Sequence, residues 1–153
     1  MVVDAANRED RAARDQPRVR ALVTFAWREF LLVARDLDAR VVPTCTDDAR
    51  HRVMIGRAYY VIFCSSRDFL LDRGLISPRF QDERGNLHLN VAQTFANARG
   101  GRWKKVGKWL HELRQDRHRA DYDAEFPGLP ERARLALLYA DWALVELEKI
   151  RAE

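Results

Sequence analysis

The chain reads as an all-α protein, an antiparallel four-helix bundle with one additional short helix, and three observations carry that expectation. Apolar residues recur at three- and four-residue steps over most of the length. Ala, Leu and Arg, all good helix formers, are the commonest residues. Seven Gly and five Pro are too few to punctuate a β-rich chain of 153 residues. That length is about one domain's worth, and 47% hydrophobic residues can fill one core without metals or disulfides.

Residues 1–16 are mostly Ala, Arg, Asp and Asn and offer little to bury, so they read as a flexible tail before a single domain over 17–153. The first helix is expected from about Arg18 to Ala39, with an apolar row of Val19, Leu22, Val23, Ala26, Phe30, Val33 and Leu37. Pro43 breaks it. Thr46 then suits an N-cap, followed by Asp47 and Asp48 where the helix dipole favours acids. The second helix runs to Asp72 and stops at Gly74. Its middle, Ala58 to Cys64, is apolar nearly all round, a pattern a buried strand shares. Helical residues continue on both sides without turn signals, so helix is the expectation, and such a helix is surrounded by others.

A polar loop over 74–87 precedes a short helix around Leu89 to Asn97, which Gly100 and Gly101 interrupt as a hinge rather than a phosphate cradle. A third long helix spans Trp103 to Tyr122. Phe126 to Leu129 turn the chain, and Pro130 opens the last helix, which ends near Arg151. That helix carries two apolar rows: Leu135, Leu138, Trp142 and Val145, and Leu137, Ala140, Leu144 and Leu147. One row fills a core; the second calls for another surface, and a homodimer is the simplest.

The net charge of +4 comes from 27 basic against 23 acidic residues, which describes a densely charged surface and is compatible with RNA or an acidic partner. Cys45 and Cys64 are the only cysteines, and with no export signal they suit a reducing cytoplasm. No apolar stretch approaches the roughly 20 residues that span a bilayer. His111 and His118 are seven residues apart, too far for one metal ion. There is no Gly-rich phosphate loop and no nucleophile elbow, so neither a metal nor a cofactor is expected.

The third long helix departs from its own pattern. Its row Trp103, Val106, Leu110, Leu113 continues to Arg117 and Ala120, so a guanidinium arrives where a hydrophobe is due. In one reading Arg117 snorkels to water and pairs with Asp121 one turn on. In the other it faces a groove or dimer seam, ready for a phosphate or carboxylate. Arg114, His118 and Tyr122 share an adjacent face. Together these groups suit a phosphodiester, with His118 able to move a proton near neutral pH. Tyr59 and Tyr60 read as core residues whose hydroxyls need partners, with Arg57 a candidate partner. His88 reads as a cap for the short helix.

Several segments occur in one order: Arg57-Ala58-Tyr59-Tyr60-x-x-Phe63, then Phe69 to Gly74, then His88-x-x-Val91 with Phe95, then Leu113-Arg114-x-x-Arg117-x-x-Ala120-Asp121-Tyr122. The series, from about Asp48 to Ile150, resembles HEPN domains, especially small stand-alone ones bearing Arg-x-x-Ala-Asp-Tyr. The resemblance implies a helical dimer pairing through its motif-bearing helices. It implies a metal-independent RNase of toxin–antitoxin or phage-defence type, with Arg117, His118 and Tyr122 catalytic and Arg57, Arg114 and Asp121 contacting RNA or nucleotide. It equally implies a non-catalytic module that partners a nucleotidyltransferase. The family's catalytic pattern is Arg, four to six residues, then His. Here Tyr122 lies five residues after Arg117, and His118 follows Arg114 after only three, so the pattern is not met.

Overall fold

In the computed structural model, residues 25–40, 44–77 and 86–153 are described, and among them every regular element is a helix. The order is α1 (Glu29–Ala39), α2 (Asp47–Asp72), α3 (Leu87–Asn97), α4 (Gly101–Tyr122) and α5 (Leu129–Ala152). The tail over 1–16, the segment 18–24 expected to begin the first helix, and most of the loop before α3 lie outside the described residues. Among the described residues no helix is long and apolar enough to cross a membrane.

The boundaries follow local chemistry. Thr46 caps α2 as its sequence position suggests, its hydroxyl accepting from the Ala49 amide at 3.2 Å. Past its end Gly74 takes a left-handed φ of 65°. Asn86, not His88, caps α3, its side chain accepting from the Leu89 amide. Gly100 precedes α4 with a φ of 134°, a conformation open to glycine, so the Gly100–Gly101 pair does separate two helices. Pro130 lies in the first turn of α5.

Helix α2 is the centre, packing against all four others. Tyr59, Val61, Ile62, Phe63 and Cys64 are all buried, so its apolar middle is a surrounded helix and not a strand. Burial also pushes the Cys64 thiol up to about 11, leaving it an inert core residue. Helix α1 packs on both α2 and α5, and that position rotates its buried stripe to Leu31 and Ala34. Val33, expected inside, is exposed. Helix α4 buries Val106, Leu110, Leu113 and Ala120, the row read from the sequence. Of the two rows on α5, the one with Leu137, Ala140, Leu144 and Leu147 is buried. Leu138, Trp142 and Val145 are about half exposed, at 47, 46 and 50%.

Two polar devices hold α4 in place. The Asp116 carboxylate, buried in the helix interface, accepts from Arg132 of α5. Arg52 of α2 donates to the carbonyls of Ala120 and Asp123 at 2.8 Å each and to Ala124 at 3.2 Å. A cation thus sits at the negative end of the α4 dipole, bonding one orphan carbonyl of the last turn and two just past it.

Gly107 lets α4 meet α3: a Cβ there would sit 2.6 Å from the Ala96 backbone nitrogen. Gly56, mid-α2, has no such neighbour within 4 Å. Gly107→Ala is therefore expected to destabilise by about 1–3 kcal/mol through overpacking. Gly56→Ala is expected to stabilise by about 0.5–1 kcal/mol, the usual helix-interior difference. Chemical denaturation of both variants checks the opposite signs.

Candidate functional site

The site begins with a buried hydroxyl. Tyr59 on α2 is 1% exposed, and its Oη sits 2.6 Å from Nδ1 of His88 on α3. The partner of this tyrosine is therefore His88 and not Arg57. Among the described residues the hydroxyl has no other partner, so one hydrogen bond ties it to the ring and engages Nδ1. Burial pushes the Tyr59 phenol well above its ordinary value, so it stays protonated. The His88 ring stacks on Phe63 with centroids 4.0 Å apart and 24° between planes. Burial, then the positive charges of Arg117, Arg114 and Arg67, hold its pKa below the usual imidazole value. His88 is an oriented, neutral imidazole.

Around this pair opens a cleft of about 480 Å³ lined by Tyr59, His88, Arg114, Arg117 and His118, with Arg119 at its edge. Arg114 has no carboxylate within ion-pair distance among the described residues. Arg117 keeps 25% of its side chain exposed and packs over the Tyr60 ring at 5.8 Å. Its Nε lies 2.7 Å from Asp121 Oδ2, but off the N–H direction, so the contact is an ion pair without an aligned hydrogen bond. Both readings of Arg117 thus hold in part: it pairs one turn on, and it faces a cleft instead of bulk water.

The structure brings Arg114, Arg117 and His118 together. It sets the other sequence-selected residues around them. Tyr122 is 68% exposed and lies outside the cleft, its ring 4.9 Å from that of His118. Asp121 and Arg57 line a smaller groove on the far side of Arg117. Arg57 stacks over Phe30 and Tyr60 at 4.8 and 5.4 Å. Sequence reasoning took His88 for a cap and so missed it as a cleft residue. The missed signal was available: Asn86 was the better cap two residues earlier, which freed His88 for another task.

An arrangement of cations beside imidazoles is able to bind anions and orient a phosphate ester. Among the described residues there is no cluster of three or more His, Cys, Asp or Glu side chains suited to a metal ion.

The Tyr59–His88 pair makes stability depend on pH. Below the ordinary imidazole value of 6.5 the unfolded chain takes up a proton that folded His88 resists. The fold is therefore stabilised above that value and loses stability as pH falls through it. The melting temperature is expected to drop between about pH 7 and 5, and His88→Gln to flatten that slope. Tyr59→Phe, which leaves Nδ1 of the half-buried ring without its protein partner, is expected to cost about 0.5–1.5 kcal/mol at neutral pH, the net worth of one hydrogen bond. Parallel pH slopes for wild type and His88→Gln would remove this histidine from the account.

Compared with protein-family models, with curated proteins and with solved structures, the chain matches none.

Proposed function

We propose that this chain is a HEPN-type homodimer that binds RNA through the α4 cleft, Arg114 and Arg117 holding a phosphate and His88 and His118 flanking it. One observation carries the reading: an unpaired guanidinium, Arg114, and a partly sequestered one, Arg117, converge on a cleft that also holds two imidazoles. Side chains confined in this way suit a phosphodiester better than a solvated basic face does.

The Tyr59 hydroxyl engages Nδ1 of His88, which leaves Nε2 as the ring's one uncommitted nitrogen. No arginine of α4 has a histidine at the family's catalytic spacing. That favours a binding module, the companion of a nucleotidyltransferase or another protein, over an RNase toxin or defence nuclease. The exposed row of Leu138, Trp142 and Val145 supports the dimer, since it continues onto α4 through Trp109, whose ring lies 6.0 Å from that of Trp142.

The test is incubation of wild type, Arg114→Gln, Arg117→Ala and His118→Ala with labelled RNA in EDTA, reading binding and cleavage together. Binding is expected to weaken about tenfold or more in each arginine variant, the worth of one charge-assisted contact. Cleavage that persists without metal and vanishes in Arg117→Ala and His118→Ala would make the protein an RNase. RNA bound and left intact makes it a binding module, and no binding at all defeats the proposal. Trp142→Glu is expected to lower the mass measured by light scattering to that of one chain.

A further inference from the structure

Gly56 has no packing reason to be glycine. It is buried in the middle of α2, yet a Cβ there would meet no atom within 4 Å. Gly107, by contrast, is glycine because the α3 backbone leaves no room. The missing side chain at Gly56 leaves a groove of about 260 Å³ walled by Arg57 and Tyr60 of α2 and by Arg117 and Asp121 of α4.

This groove adjoins the main cleft, because Arg117 lines both. The guanidinium carbons of Arg57 and Arg117 lie 5.4 and 5.8 Å from the same Tyr60 centroid, so they are at most about 11 Å apart, the sum of those distances. Arg52, also at the groove, is fully engaged by Asp48 and by three backbone carbonyls. Arg57 is not: it stacks on rings, and among the described residues it has no carboxylate partner. Each recess therefore offers one unengaged guanidinium, Arg114 in the cleft and Arg57 in the groove, with Arg117 between them.

We propose that the groove above Gly56 is a second phosphate subsite, so that the ligand is single-stranded RNA running from the α4 cleft across Arg117 to Arg57, and not a mononucleotide. The inference rests on the phosphate-binding reading of the cleft and adds the length and strandedness of what it holds. A duplex is too wide to enter a groove of this size, whereas a single strand can follow it. The exposed Tyr122 ring beside His118 offers a face to an unstacked base. Asp121 repels phosphate, but its carboxylate accepts from a ribose 2′-hydroxyl, which DNA lacks.

Fluorescence anisotropy with a labelled single-stranded RNA hexamer tests this, with the DNA of the same sequence, an RNA duplex and adenosine monophosphate as competitors. Gly56→Leu fills the open space. It is expected to weaken hexamer binding about tenfold and to leave the mononucleotide within about twofold. Arg114→Gln should weaken both. Arg57→Gln should weaken the hexamer and reduce the slope of log affinity against log salt by about 0.7, one phosphate contact. If Gly56→Leu melts early, the Arg57→Gln slope decides.

Hexamer binding untouched by both Gly56→Leu and Arg57→Gln overturns the groove while leaving the cleft in place. DNA or duplex competing as well as single-stranded RNA also overturns the proposal. So does a Gly56→Leu that changes oligomeric state without changing RNA affinity, which would assign the groove to a second copy. Wild type that binds neither hexamer nor mononucleotide defeats the cleft reading beneath it.

Discussion

In the Ala58 to Cys64 stretch of α2 every side chain but Tyr60 is buried, and the site grows from that constraint. A helix packed against four others can carry apolar residues freely, and a large buried polar group on it gains from a partner inside, although the small Ser66 hydroxyl has none among the described residues. Tyr59 is such a group, large enough to fill the core and long enough to bring its hydroxyl to the core's edge. There it meets His88 on α3, and the bond fixes the ring against Phe63. The wall of the cleft is thus the place where the core's polar requirement is met. Its imidazole is positioned by packing, which gives it an orientation that a surface histidine lacks.

The electrostatics of the cleft combine helix ends of both polarities. Phosphate sites are often built on helix N-termini, where backbone amides and the dipole both favour anions. The cleft here lies along the C-terminal half of α4, the end with the wrong polarity. Arg52 answers part of this by placing a cation on the carbonyl of Ala120 in the last turn of α4 and on those of Asp123 and Ala124 just past it. Arg114, Arg117 and Arg119 then add positive charge from side chains, beside the N-terminus of α3, whose cap Asn86 also lines the cleft. The same field acts on the residues already present, because Arg117 and Arg114 join burial in keeping His88 unprotonated. A neutral ring among cations donates hydrogen bonds without adding to their mutual repulsion.

Much of the fold was legible because it rests on local rules. Thr46, Gly74 and Pro130 mark ends by their own chemistry, and the rows on α4 and α5 obey helical spacing. The anomaly at Arg117 was legible for the same reason, as a break in a period. What escaped was set by packing between distant segments. The stripe of α1 rotates because α1 meets two helices at once, so Leu31 and Ala34 displace Val33 from the interior. His88 and Tyr59 are 29 positions apart, and no periodicity connects them. The groove at Gly56 was invisible for a further reason: a glycine in a helix reads as a weak spot, and only the surrounding space separates that from a recess.

Arg117 shows why an arginine, and not a lysine, suits the boundary between cleft and groove. Its planar fork lies over the Tyr60 ring while Nε stays close to Asp121, and the side chain still lines both recesses. A point charge on a flexible stem can meet one of those partners at a time. The ion pair with Asp121 lacks an aligned hydrogen bond, so the carboxylate balances the charge without using the fork's donors in full. A guanidinium held in this way is preorganised, with donors that the protein leaves unspent. The buried row of hydrophobes on α4 resumes at Ala120, and the residue that interrupts it at position 117 is three-quarters covered while still lining both recesses.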